Sequence, residues 1–449
     1  MSFPAYPSFR PSAFFVSERL PMHWQEVPIK RAFDVTLGKM VVNFTEADVR
    51  TTRPYLRSAN VQDGYLALDD TKEMWFSDEE AASLDLRAGD LVICEGGDVG
   101  RCAFLNVGLP GFGFQNSVNR ARAKGKNSAH FLGFWLRKLK SDGYIDILCN
   151  RSTIAHFTAE KVAATPMFLP PPAEQSAIAV FLDRECGKID ALVAEQERLI
   201  TLLKEKRQAV TSHAITKGLD PSALMKDSGV EWLGQVPAHW RVGRIGHYAV
   251  VENGSTPSRY NASFWSSDAT VPWVSSGEVN QGLVTEPSEF ITSDAMAAAG
   301  LHLIPAGSVL VGLVGQGRTR GMAALLMIDA AINQNVAAVI PRAELDGSFA
   351  YLALGAAYEF LRDYGRGGNQ AALNCEILSS FRIPIPPLDE QARIVQIIRE
   401  KTAQQSALIA EAEKAIVFLK ERRAALISAA VTGKIDVRGC VAAEEAKAA

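Results

Sequence analysis

The chain has 449 residues, with 47 Lys and Arg against 50 Asp and Glu and a formal net charge of −3. At 47% hydrophobic and 22% charged it has an ordinary globular composition, and its length fits two to four domains at about 100–200 residues each. No run of about 18 apolar residues is free of charge, so no membrane span is expected. The near-neutral balance also differs from that of a freestanding nucleic-acid binder, which is usually basic.

The opening MSFPAYPSFRPSAFF lacks the charged and apolar regions of a secretory signal, and a cytoplasmic location is expected. Six cysteines stand at 94, 102, 149, 186, 375 and 440 with no C-x-x-C pair, which points to buried thiols of a reducing compartment.

A first globule spans 1–166. It carries Pro21, His23 and Trp24, then Gly38, then Pro54-Tyr55 and Gly64. The run Asp90 to Cys94, bounded by glycines, predicts a strand, and 129–140 reads as a helix. Three prolines, 170–172, then stop what precedes them, and a spacer helix follows within 167–219. Its apolar stripe runs through Ile178, Leu182, Ile189, Leu192, Leu199 and Leu203 at steps of three and four or their multiples.

The chain then repeats itself. PPPAEQSAI at 170–178 answers PPLDEQARI at 386–394, and Glu390 lies 216 positions after Glu174. The same offset pairs Arg207 with Arg423 and sets Pro21, His23 and Trp24 against Pro237, His239 and Trp240. A second globule therefore spans 220–381 and a second spacer helix 382–437, with a flexible tail at 438–449. Ser308 to Val311 predicts a strand and 349–363 a helix. Ile394, Ile398, Leu408, Leu419 and Leu426 continue the stripe, which widens through Val193, Ile200, Ile409 and Ile416. The expected fold is α/β (α+β): two duplicated globules separated by two long helices that pair as an antiparallel coiled coil about a pseudo-two-fold axis.

No motif for catalysis emerges. The proline pairs are followed by Pro172-Ala173 or Leu388-Asp389, not by the aromatic that holds a flipped base. There is no G-x-x-x-x-G-K-[ST] phosphate loop, and Gly315 to Gly321 is glycine-rich without being a dinucleotide fingerprint.

The ordered, duplicated motifs resemble the specificity (S) subunits of type I restriction–modification systems. Pro386-Pro387-Leu388-Asp389-Glu390-Gln391 with Ile394 resembles the start of that family's conserved helix, as does Leu169 through Gln175. Lys226 through Gly234 with Pro237, His239 and Trp240 resembles the opening of a target recognition domain, and Gly254-Ser255-Thr256-Pro257 with Val271-Pro272-Trp273 resembles its first strands. The first globule departs by lacking the Gly-Val-Glu-Trp-Leu-Gly opening, and the second has Gly307-Ser308 where the first has Gly89-Asp90.

The resemblance implies two target recognition domains, each reading half of a bipartite, asymmetric site in duplex DNA. It implies helices that space the half-sites and dock two methyltransferase (modification) subunits, with two restriction motor-nuclease subunits beyond them. No cofactor is expected in this chain; S-adenosylmethionine, ATP and Mg would sit on the partners. A coiled-coil scaffold without DNA readout is the alternative.

Base edges are read by Arg, Lys, Asn and Gln, and phosphates by cations. Two stretches suit this: Gln115 and Asn116 leading into Arg120, Arg122, Lys124 and Lys126, and the loop of Gln316, Arg318 and Arg320 with nearby Asn335. His23, Trp24, His239 and Trp240 read instead as packing residues.

Overall fold

The computed structural model describes residues 3–15, 17–41, 52–149, 155–287, 289–315, 318–363 and 373–440. It divides into two compact units. Unit 1 is Met1–Glu197 with Glu413–Ala449, and unit 2 is Arg198–Ala412. The units cut across the linear order: each contains one globule, half of one long helix and the opposite half of the other.

Unit 1 is built on a four-stranded antiparallel sheet ordered Phe33–Leu37, Val118–Ala123, Leu91–Cys94, Cys102–Phe104. A smaller sheet pairs Lys72–Trp75 with Thr52–Leu56 and, in parallel, Gly113–Phe114. The strand predicted at 90–94 is buried on both faces. Leu91 and Ile93 join the core formed with the helix Ala129–Ser141, while Val92 and Cys94 join a second cluster with Tyr55, Phe76 and Phe114. Alternation of side chains across a strand accounts for its unbroken apolar run.

Unit 2 repeats this plan. Its larger sheet runs Ala249–Asn253, Val336–Pro341, Val309–Gly312, Ala323–Leu326 and a fifth short strand, Leu283–Val284. Its smaller sheet joins Val271–Val274 to Glu289–Ile291 and Ala331–Ile332. Val309 and Val311 face one core and Leu310 the other. The helix Gly347–Ala356 takes the place of Ala129–Ser141. The helix expected over 349–363 breaks after Ala356 and resumes at Tyr358–Asp363.

The long helices span Pro172–Lys217 and Leu388–Val431. Within each unit the start of one lies beside the end of the other, so they run antiparallel. In unit 1, Ile178, Phe181 and Leu182 share a core with Ile427 and Val431, and Arg423 Nε lies 2.9 Å from Asp190 Oδ1. In unit 2, Ala214 and Ile215 share a core with Ile394, Val395 and Ile398.

The seam differs in detail from the sequence expectation. In the first helix the inward positions are Ile178, Leu182, Cys186 and Ile189, then Val193, Gln196, Ile200, Leu203, Arg207, Val210 and Ala214. The second helix repeats them 216 positions on, from Ile394 through Ile409, Ile416 and Leu419 to Ala430. Leu192, Leu199 and Leu408 are corrected: they are 52%, 41% and 55% exposed, and each precedes a seam residue by one. The stretch 178–189 advances by four, four and three, an 11-residue step. The next step after Ile189 is then four, to Val193, rather than three, to Leu192.

Four cysteines are buried, while Cys375 and Cys440 are half-buried. Burial pushes the Cys102 and Cys186 thiols up to about 11. No helix among the described residues is long and apolar enough to cross a membrane.

Candidate nucleic-acid interface

Strand register decides which loops share a place. In unit 1, Leu37 pairs with Asn119 and Cys94 with Val118. The segment after Leu37, the 95–101 hairpin loop and the 115–117 turn therefore leave the sheet at one end. In unit 2, Asn253 pairs with Ala337 and Gly312 with Val336, which gathers the loop from Gly254, the loop after Gly312 and the 333–335 turn in the same way.

The turns are held by close backbone contact. A Cβ on Gly38 would sit 2.3 Å from the Gln115 carbonyl oxygen, and one on Gly254 would sit 1.7 Å from that of Ile332. Only glycine allows this approach. Gln115 N–H donates to Leu56 O and Asn116 N–H to Lys39 O, both at 2.8 Å. The Gln115 and Asn116 side chains are half-buried. In unit 2 Gln334 is exposed and accepts from the Thr256 hydroxyl at 2.5 Å, while Asn335 N–H donates to Asn333 Oδ1.

The basic run after Asn116 is not one patch. Arg120 is 5% exposed and donates to the carbonyls of Ser83 and Asp85. Arg122 grips the buried Asp90 with two bonds of 2.7 Å and also reaches Asp85 at 3.0 Å. Donating to Asp90 and Asp85 raises the Arg122 pKa further. Burial pushes Asp85 up, but the bonds from Arg87 and Arg122 outweigh it and hold the carboxyl low. Both arginines thus brace the interior. Lys124 and Lys126 are exposed beyond the far end of this strand. Lys124 bonds to Lys30 O and Asp34, beside the start of the long helix, where Gln175 reaches Asn127.

Arg318 is exposed and its carbonyl accepts from the Tyr358 hydroxyl at 2.8 Å. Arg320 is half-buried, and Gln316 lies outside the described residues. The neighbouring Thr319 meets Asn280 at 3.2 Å.

The sequence reading missed a cluster on the loop from Gly254. Arg259 lies 3.5 Å above the Trp265 ring and 5.2 Å from Trp273, and binds both oxygens of Glu289 at 2.6 Å. The bonds from Arg259 hold the Glu289 carboxyl below its ordinary value. Next to this braced arginine, Tyr260 is fully exposed. Its signal was an Arg-Tyr pair following Gly-Ser-Thr-Pro, but of its partners only Trp265 is close in sequence, while Trp273 and Glu289 come from strands further along.

The tryptophans of the two His-Trp pairs pack in the interior, whereas His23 and His239 are exposed. Trp24 and Trp240 are buried and donate to Glu174 and Glu390. Among the described residues no group of three or more His, Cys, Asp or Glu could hold a metal ion.

The family described as type I restriction modification DNA specificity domain matches twice, at residues 21–199 and 237–416. This chain belongs to that family. It is 27% identical over 277 residues to the EcoR124I/EcoR124II specificity subunit of Escherichia coli, covering 61% of this chain and 63% of that one. It is 21% identical over 430 residues to the MjaVIII specificity subunit of Methanocaldococcus jannaschii, covering 94% and 95%. A chain from a solved structure described as the basis of complex assembly and conformational transition of the type I R-M system aligns with a TM-score of 0.73 at 18% identity, covering 93% and 99%. The HsdS subunit from Thermoanaerobacter tengcongensis aligns at 0.56, also at 18%, covering 93% and 98%. The likeness to these structures shows the shared fold. A scaffold without readout is not favoured, because the family match covers both globules and not the helices alone.

Proposed function

We propose that this chain is the DNA sequence-recognition subunit of a type I restriction–modification complex, with each unit reading one half of a bipartite, asymmetric site. The observation that carries this is the repeated sheet end: the same register presents three loops in each unit, yet the loops differ in chemistry. Unit 1 offers Gln115 and Asn116, while unit 2 offers Gln334, Arg318 and the braced Arg259–Tyr260 pair. Different loops on one frame suit different half-sites, since side chains at base edges carry specificity.

In this reading the chain has no active site of its own. Methyltransferase subunits dock on it and bring S-adenosylmethionine, and restriction motor-nuclease subunits bring ATP and Mg. The partners also supply basic surface that a chain of net charge −3 lacks. The complex acts in the cytoplasm.

The test is to mix the purified chain with its methyltransferase and map methylated adenines across a random DNA library. One split, non-palindromic sequence is expected. Exchanging 254–270 for the same loop of another family member should change the bases of one half only. A palindromic site, or a change in both halves, would defeat the reading.

A further inference from the structure

Unit 2 contains an open cleft of about 860 Å³ beside the helix Gly347–Ala356, and the matching place in unit 1 is partly filled, leaving a smaller cleft of about 440 Å³ lined by Asp63, Arg137 and Arg423. The match is fixed by three marks. Gln175 accepts from Ser128 N–H and Gln391 from Asp346 N–H, both at 2.8 Å, so the two short helices correspond. Leu91 pairs with Phe104 as Val309 pairs with Leu325, and the long helices correspond at an offset of 216.

In unit 1 the His130 ring stacks on Phe104 at 4.3 Å and on Phe134 at 5.3 Å, and its Nε2 meets Asp183 at 3.1 Å. Arg423 lies 2.9 Å from Asp190 and 4.0 Å from Asp63, and Arg137 lies 2.9 Å from Asp63. The rings fill part of the space, and carboxylates neutralise the cations beside the cleft that remains.

Unit 2 keeps the arginine and loses the rest. Arg207 replaces Arg423, but Asp63, Asp183 and Asp190 become Gln281, Arg399 and Ser406. Phe104 becomes Leu325, His130 becomes Ser348 and Arg137 becomes Gly355. Arg399 is held toward the cleft by its bond to the Ser348 hydroxyl at 2.9 Å. Lys204, Arg207, Arg399 and Tyr351 line the cleft with apolar Leu325 and Ile398, and no carboxylate lines it among the described residues.

We propose that this cleft binds a small planar organic anion of the nucleoside monophosphate class. A flat ring takes the volume that His130 and Phe104 occupy in unit 1, against Leu325 and Tyr351. The anionic group takes the role of the missing carboxylates and meets the Arg207 and Arg399 forks, which favour phosphate and carboxylate. The volume lies within the range of small-ligand sites, about 300–1,000 Å³. Unit 1, whose smaller cleft has its ring space occupied and carries Asp63 and Asp98 beside its cations, binds no second molecule.

Calorimetry on the full chain without DNA or partners tests this, with AMP and inorganic phosphate as probes. One saturable AMP site with Kd below about 1 mM is expected, with phosphate at least about tenfold weaker. Rebuilding the unit 1 stack with L325F and S348H should abolish AMP binding without lowering the unfolding midpoint. The R399D variant, at an exposed position, should weaken AMP by more than about tenfold and serves if the filled variant fails to fold. Absence of saturable AMP binding, phosphate binding as tight as AMP, or undiminished binding in R399D would overturn the proposal. None of these outcomes bears on DNA recognition, which is read separately.

Discussion

The Trp24 indole N–H donates to the Glu174 carboxylate at 3.1 Å, tying the first globule to the first turns of a long helix 150 positions later. Tyr6 donates to the same carboxylate at 2.5 Å and His23 Nε2 lies 2.9 Å from it. Unit 2 repeats the bond from Trp240 to Glu390 at 3.0 Å, with His239 at 2.8 Å. Glu174 is 5% exposed, whereas the Glu390 side chain is 21% exposed and no tyrosine joins it among the described residues. Removing Glu174 strands more buried donors. E174A should therefore lose about 1–3 kcal/mol per stranded donor and lose more in total than E390A. Urea unfolding of both variants checks this; equal losses would contradict the ranking.

The seam assignment separates two neighbouring leucines. Leu203 is half-buried on the seam, while Leu199 is 41% exposed off it. L203D should lower the unfolding midpoint clearly, since an unpaired charge is costly to bury. L199D should shift it by no more than about 0.5 kcal/mol, as for an ordinary surface change. The opposite order would restore the seam through Leu192 and Leu199.

Two arginines should behave differently. R122Q leaves the buried Asp90 without its bidentate partner and should cost about 3–5 kcal/mol. R318A alters an exposed side chain, should leave stability unchanged, and should reduce the salt slope of DNA binding by about one if Arg318 meets a phosphate. Fluorescence unfolding and filter binding across a salt series read the two effects.

Gly254 sets the position of the 333–335 turn. Its replacement by Ala drives a Cβ to within 1.7 Å of the Ile332 carbonyl oxygen, so the turn must move. G254A should weaken binding to the full DNA site by about 1–3 kcal/mol, with the loss confined to bases of one half-site. Mapping methylation on libraries randomised in each half would expose a loss spread over both.

Acid should loosen the closing segment of unit 1. The bond from Arg438 holds the Asp436 carboxyl below its ordinary value. A depressed carboxyl contributes stability above its unfolded pKa of about 4 and loses it as pH falls through the folded value. Arg438 is half-exposed, so solvent screening keeps the contribution under about 1 kcal/mol. D436N should flatten that part of the stability profile below about pH 4 and change little at pH 7. An unchanged acid limb in D436N would assign the effect elsewhere.

The sequence by itself determined the duplication, the long helices and the family. These follow from local and periodic signals: proline stops, apolar steps of three and four, and motifs repeated at a fixed offset. It also separated the packing Trp24 and Trp240 from the readout candidates. Tertiary structure decided what each charged side chain does. Arg120 and Arg122 read as a basic run, but Asp85 and Asp90 approach from other segments and take up both guanidinium groups. Arg259 stands outside any basic run, and Trp273 and Glu289 come together beside it only once their two strands pair. The sequence placed both Leu192 and Val193 on the apolar stripe without choosing between them. Steps of three and four suit a helix equally well, and only the partner helix fixes which face is covered.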